Sequence, residues 1–300
     1  MSSIKFSVIV PTCHRNDLLA QCLEKLLLNS QNIKADLFEV IVTDDGENST
    51  AEAMIKKHFS WVQWIKGTGR GPAANRNNGA KAAAGKWLVF TDDDCLPDIS
   101  WLEEYNIAID NHPHVEVFEG KTYANRAKES FNEVAPINEK GGNMPSCNFV
   151  ILKDAFNALG GFDENFKFYF EDMDLSYRIK KADIPILFVP NASVCHPWRK
   201  VDALDFWKKR KFYTDSYWQF LTKDKDLLTS HNPLFFLKQL VKDTMVDTIP
   251  NVFRYKGKGI VFNLSHRLVH LDLLFRTFFL TQKELQQIQK EYSLKASSAA

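Results

Sequence analysis

Short apolar runs recur through the front of the chain, and each is closed by a polar cluster. Residues 6–10 (FSVIV) read as a buried strand, with residues 18–28 as the helix that follows. Residues 38–43 (FEVIVT) give a second strand that ends in an Asp-Asp-Gly turn. The pattern then predicts a helix over 51–58, extended chain over 61–66, a helix over 73–84 and a strand over 87–91 (WLVFT). Further on it loosens, with strands over 115–119, 147–152 and 184–189 and helices over 153–159 and 171–181. Gly160-Gly161 closes the shorter of those helices. Past about residue 200 the chain turns to long helical stretches rich in aromatic and basic residues, and residues 296–300 form a small-residue tail.

Alternating strands and helices predict an α/β fold. The expected catalytic domain is a mostly parallel, Rossmann-like sheet flanked by helices over residues 1–200, with a helical, basic and aromatic region over 201–300. Such sheets bind ligands beyond the carboxyl ends of their strands. The polar residues at 12–15, 44–46 and 92–94 are therefore the ones to read for chemistry.

Composition changes this picture little. With 45% hydrophobic and 25% charged residues the chain is ordinary globular protein, and a net charge of +1 singles out no partner class. No nucleic-acid partner is expected. The charge is unevenly spread, however. Residues 201–300 carry 16 Lys/Arg against 10 Asp/Glu, and the first 200 residues carry 22 against 27. An acidic front and a basic back suit a cation-binding cleft followed by a segment drawn to anions. Five scattered cysteines without CxxC spacing fit reduced thiols in a cytoplasmic protein. The N-terminus lacks a signal-peptide pattern, and the best membrane candidate, residues 259–280, is broken by His266, Arg267, His270, Asp272 and Arg276.

Asp92-Asp93-Asp94 closes a hydrophobic strand, where three adjacent carboxylates repel one another unless a cation sits among them. Alternation along an extended segment lets Asp92 and Asp94 face the same way. Hard oxygen ligands suit Mg²⁺ or Mn²⁺; a solvated acidic turn is the plain alternative. His196 follows the last strand and can supply an imidazole ligand, or simply pack. Glu171-Asp172 opens a helix, which favours acidic residues through its dipole and equally positions a general base. Arg76 lies in the helix after a Gly-rich turn and fits either a diphosphate partner or a surface charge. That turn is neither a Walker loop nor a dinucleotide fingerprint.

In this order the pieces resemble the family 2 glycosyltransferases of the GT-A fold, over roughly residues 4–200. The segments that carry the likeness are FSVIVPTCHR, VIVTDDG, GPAANRNNGA, TDDDCLP, GGNMPSCNFVILKDAFNALGGFDENF and FEDMDLSYRI, with the histidine after the last strand. The resemblance implies that Pro11, Cys13, Arg15 and Asp45 line a nucleoside pocket, with Asp44 nearby. Cys13 stands where many relatives have an aromatic residue. Arg76 would face the diphosphate, Asp93 the ribose or donor sugar, and Asn143 and Met144 the donor sugar. Asp92, Asp94 and His196 would hold Mn²⁺ or Mg²⁺, and Asp172 would be the base beside Glu171. Trp198 either stacks on a sugar or packs in a core.

The reaction so implied is an inverting, metal-dependent transfer from a nucleotide-diphosphate-sugar to a hydroxyl of a glycan or lipid-linked glycan, with UDP as the default nucleotide. Two alternatives are a sugar nucleotidyltransferase, whose Gly-rich basic N-terminal loop is missing, and a non-catalytic sugar-nucleotide-binding protein. Residues 205–221 (DFWKKRKFYTDSYWQFL) fit a peripheral contact at the inner face of a membrane, a helical cap on the catalytic domain, or a homo-oligomer contact.

Overall fold

The computed structural model describes residues 4–48 and 50–280, together with 284, 286, 287 and 290; the tail at 296–300 lies outside the described residues. The chain divides into two compact units, Met1–Arg126 with Ala135–Pro197, and Ala127–Val134 with Trp198–Ala300.

The first unit is built on β1 (Phe6–Thr12), buried at every position as a central parallel strand must be. Strands β2 (Phe38–Asp44), β3 (Gln63–Lys66) and β4 (Trp87–Phe90) run parallel with it. The sheet also takes β5 (Leu96–Pro97) and β6 (Val117–Tyr123) and, past β7 (Glu133–Val134) of the other unit, β8 (Phe149–Leu152) and β9 (Ile186–Cys195). Its order is β3-β2-β1-β4-β8-β6-β9-β5, with β8 antiparallel to both neighbours. The expected mostly parallel α/β sheet is present.

Helices α1 (Asn16–Lys25), α2 (Glu52–His58), α3 (Pro72–Ala82), α4 (Trp101–Asn111), α5 (Lys153–Ala158) and α6 (Glu171–Lys181) cover both faces. The two-residue strand period sorts β1 between two cores. Phe6, Val8 and Val10 meet Leu19 and Leu23 of α1, in a core shared with Trp101 and Tyr105 of α4. Ile9 lies in the other core with Phe90, Phe156, Leu175 and Ile179. Helix α3 lies close on the sheet because Gly79 has no side chain; a Cβ there would stand 2.5 Å from Ile9 Cγ2.

Two elements differ from expectation. The pattern ends the last strand at 189 because Pro190 cannot donate to a ladder, yet β9 runs on to Cys195. A bulge absorbs the proline: pairing jumps from Gly120↔Val189 to Lys121↔Ser193. Helix α4 was not anticipated, although its buried Trp101, Leu102, Tyr105 and Ile109 follow a helical stripe.

The second unit pairs β7 antiparallel with β10 (Arg199–Lys200). Its helices are α7 (Ala203–Thr222), α8 (Lys225–Ser230), α9 (Pro233–Lys242), a π-helical turn (Asp243–Thr248), α10 (Ile249–Arg254) and α11 (Ile260–Phe279). Helix α11 packs against α7 and α9, and Phe206, Phe236, Val269 and Leu273 are buried. Among the described residues no helix is long and apolar enough to cross a membrane.

Candidate active site

The carboxyl ends of β1, β2 and β4 bring the polar clusters together. After β4 the chain turns at once, the Cys95 N–H donating to the Asp92 carbonyl at 3.1 Å. Extended alternation therefore fails here, and the three aspartates diverge. Asp93 is fully buried, accepts from Thr12 Oγ1 at 2.7 Å and pairs with Arg15 Nη2 at 2.8 Å. Burial pushes its carboxyl up to about 7, against the pull of Arg15 and Thr12. Asp94 meets Arg15 Nη1 at 2.9 Å and lies 3.3 Å from His196 Nε2. Asp92 points elsewhere, to Arg76 Nη2 at 2.7 Å.

His196 follows β9, so the bulge at Pro190 sets where its ring lies. Its Nδ1 is 2.9 Å from the Pro197 carbonyl, which only accepts. That bond leaves the lone pair of the neutral ring on Nε2, the atom facing Asp94. Burial opposes a charged ring, but the contact with Asp94 outweighs it and raises the His196 pKa. Asp94, Cys95 and His196 each present one donor atom within 4.8 Å of the others. The Cys95 thiol is pushed well up by burial and by Cys147, so it stays protonated and is a poor ligand for a hard ion. An oxygen and a nitrogen donor at one point suit Mn²⁺ or Mg²⁺. Asp92, expected in the same ligand set, is held on Arg76.

Arg76 joins the two acidic motifs. Its guanidinium, 5% exposed, spans Asp92 and Glu171 Oε1, the latter at 3.0 Å, and stacks over Phe162. Phe170 adopts a left-handed backbone (φ 74) and caps α6, which begins at Glu171. Burial pushes Glu171 up, helped by the charge of Asp172 and opposed by Arg76. Burial raises Asp172 as well, against Arg76 and the N–H groups of Met173 and Ser146. Five carboxylates (Asp92, Asp93, Asp94, Glu171 and Asp172) thus surround two guanidinium groups. The surplus is negative, as a cation site requires.

The residues that the resemblance assigns to the nucleoside have varied settings. Pro11 is buried in β1 and Cys13 is exposed beyond it. A recess of 380 Å³ beside them is lined by His14, Arg15, Asn16, Asp17 and Leu18. Asp44 is engaged in its own turn, accepting from Gly46 N, Ala51 N and Trp64 Nε1. Asp45 accepts from Gly69 N at 2.9 Å and Gly71 N at 3.3 Å, tying the Gly-rich turn to β2. Asn143 is exposed, whereas the Met144 side chain is buried beside Phe149. Trp198 belongs to the second unit, where Lys128 Nζ stands 5.7 Å from its ring.

With this geometry in place the comparisons can be read. A family model, "Glycosyl transferase family 2", matches residues 7–160. The chain belongs to that family. Pre-mycofactocin glycosyltransferase of Mycobacterium tuberculosis is 27% identical over 227 residues, 70% of this chain and 46% of that protein. The chain spans less than half the length of the first curated relatives it matches. In fold it is similar to S. aureus TarS 1-349 in complex with UDP-GlcNAc, with TM-score 0.56 and 17% identity, covering 97% of this chain and 92% of that one. It is likewise similar to GalNAc-T7 with UDP, GalNAc and Mn²⁺, with TM-score 0.54 and 18% identity over 66% of this chain and 45% of that one. These likenesses identify the GT-A fold that the sequence resemblance implied.

Two residues that shape this candidate site, Asn75 and Glu119, have no role in the motif reading, which takes Thr12 only as part of a polar cluster. Asn75 of α3 ties the ends of β1 and β2, donating to the Thr43 carbonyl at 2.8 Å and the Thr12 carbonyl at 3.4 Å. Thr12 holds Asp93. Glu119 of β6 accepts from the N–H groups of Gly142 and Met144 and from Asn138 Nδ2, and so fixes the loop bearing Asn143. A lone carboxylate after the apolar pair Val117-Phe118 was the available signal for the last.

Proposed function

We propose that this chain is an inverting glycosyltransferase that moves a sugar from a nucleoside-diphosphate donor, UDP by default, to a hydroxyl of a glycan or lipid-linked glycan. The observation that carries this reading is Arg76, which holds the Asp92-Asp93-Asp94 turn and the Glu171-Asp172 helix start at one sheet edge. The likeness to proteins solved with UDP-GlcNAc and with UDP, GalNAc and Mn²⁺ supports the donor class.

Asp94 and His196 are the residues assigned to Mn²⁺ or Mg²⁺, with Asp92 adjacent. When bound, the ion supplies positive charge against the diphosphate that leaves. Arg15 anchors Asp93 and Asp94, so the turn is held before the donor arrives. Asp172 accepts the proton of the acceptor hydroxyl as its oxygen attacks the anomeric carbon from the face opposite the nucleotide. Its elevated pKa makes it a better base than an ordinary exposed aspartate. Glu171 keeps Arg76 in place beside it.

The test is a panel of UDP-, GDP- and dTDP-sugars with Mn²⁺, scored for released nucleoside diphosphate and for new glycosidic product. Free nucleoside diphosphate with a glycan product of inverted anomeric configuration supports the reading. Pyrophosphate release from a sugar phosphate and a nucleoside triphosphate would instead make the chain a nucleotidyltransferase, and binding without turnover would make it a carrier.

A further inference from the structure

One helical run of the second unit exposes a continuous apolar row. α9, the π turn and α10 run on without a break from 233 to 254. Their carboxylates point inward to α11: Asp243 accepts from Arg267 Nη1 at 2.6 Å and lies 3.4 Å from His270 Nδ1. Asp247 accepts from Arg267 and from Asn263 Nδ2, and Thr248 donates to Asn263 Oδ1 at 3.0 Å. The apolar row faces solvent. Leu234, Leu237, Val241, Met245, Ile249 and Phe253 are 49% to 85% exposed, Phe253 the most.

The π turn keeps this row in line. A four-residue step overshoots an α-helical turn by about 40°, so a plain helix would carry residues 245, 249 and 253 around its axis. The wider π turn takes up that drift. A soluble helix gains by burying its apolar face and wetting its charges; here Phe236 is buried, but a whole second apolar row is exposed while Asp243 is held inside on Arg267.

The exposed charge around the row is mostly positive, with the Asp247 side chain 46% exposed and paired to Arg267. Lys238, Lys242, Arg254, Lys256 and Lys258 are exposed, while the two acids of the same stretch are bound to Arg267. A second copy docking through this face would set cations against cations, because a two-fold contact presents the same patch from both sides. An anionic lipid surface neutralises them and accepts the apolar row. Helix α7, for which a membrane contact is one of three readings of the sequence, buries Phe206 and Phe220 and pairs Lys209 with Asp205 and Lys211 with Asp215.

We propose that the α9–α10 face docks on an anionic bilayer, with Ile249 and Phe253 in the acyl boundary and the five cations on the headgroups. The test is co-sedimentation of the full chain with phosphatidylcholine vesicles, alone and with phosphatidylglycerol added. The parent should bind only the anionic vesicles and be released by salt. Ile249→Glu with Phe253→Glu, and separately Lys238→Glu with Lys242→Glu, should each weaken binding by roughly tenfold or more. Circular dichroism should match the parent in both variants. Donor hydrolysis should match it too, which separates lost docking from a damaged catalytic unit. No binding to anionic vesicles, or equal binding to both compositions, overturns the proposal. So does a dimer in light scattering that the Ile249/Phe253 variant dissolves while vesicles bind neither protein.

Discussion

Replacing Arg76 by methionine tests whether the buried charge network is what couples the two acidic motifs. The guanidinium is 5% exposed and makes ion pairs at 2.7 Å to Asp92 and 3.0 Å to Glu171. Removing one partner of a buried pair costs about 3–5 kcal/mol, because the other charge is left uncompensated. Two features hold the loss to the low end of that range. Glu171 is already displaced upward and takes a proton once Arg76 is gone, and the Asp92 side chain, 22% exposed, reaches water. The expected loss is therefore about 3 kcal/mol at neutral pH. Glu171→Gln alone removes the charge that Arg76 balances, so the double variant should be more stable than the sum of the single losses. The assay is a double-mutant cycle in urea midpoints at pH 7, with the slope checked for constancy. A loss under about 1 kcal/mol, or no coupling between positions 76 and 171, would refute the network, since exposed pairs give values of that size.

Three further outcomes are expected. Asp172→Asn should lower turnover by about 10²–10⁴-fold with the donor KM nearly unchanged; in the parent, turnover should fall as pH drops through the raised Asp172 pKa, and a limb at the ordinary aspartate value would contradict its burial. Asp94→Ala should weaken Mn²⁺-dependent donor binding in calorimetry, and unchanged Mn²⁺ affinity would remove Asp94 from the ligand set. In the second unit, burial, aided by His270, Arg267 and Lys128, pushes His266 down to about 4. Folding then favours the neutral ring, so its contribution is complete above about 6.5 and is lost as pH falls toward 4, by up to about 3 kcal/mol. Hydrogen exchange of α11 amides across that range should show the loss; an α11 equally protected at pH 4 and 7 would argue that the ring is hydrated.

The sheet was legible in the sequence because four strands are short apolar runs closed by polar turns, and that pattern has few other readings. Helix α4 was missed because its stripe (Trp101, Leu102, Tyr105, Ile109) sits between two conspicuous motifs and is broken by Glu103, Glu104 and Asn106. The sequence pattern places the last strand only over 184–189, short of Pro190, which cannot donate to a ladder; only tertiary pairing with β6 reveals the bulge that carries β9 to Cys195. Within the candidate site, the motifs named residues that the fold brings together but not the partners each one takes. Strand alternation put Asp92 and Asp94 on one face, and a turn that no periodicity records separates them.

That separation changes what the acidic motif does. Were all three carboxylates to converge on one ion, Arg76 would keep only Glu171 and would no longer tie the aspartate turn to α6. As built, the aspartates divide between two guanidinium groups: Asp92 pairs with Arg76, while Asp93 and Asp94 share Arg15, with Thr12 donating to Asp93 and His196 facing Asp94. The Arg76 pair, 5% exposed on the arginine side, sits in low-dielectric surroundings that make an unpaired charge costly, whereas Arg15 is 38% exposed and its pairs are screened by water. The turn is therefore rigid before any ligand binds, and the remaining negative surplus lies near Asp94, Asp172 and the exposed flank of Asp92. A cation and the cationic character that develops at an anomeric carbon are both stabilised by such a surplus. In the proposed reaction one arrangement of charge would favour the donor's ion and the transition state together, with Arg76 offsetting the repulsion between Asp92 and Glu171.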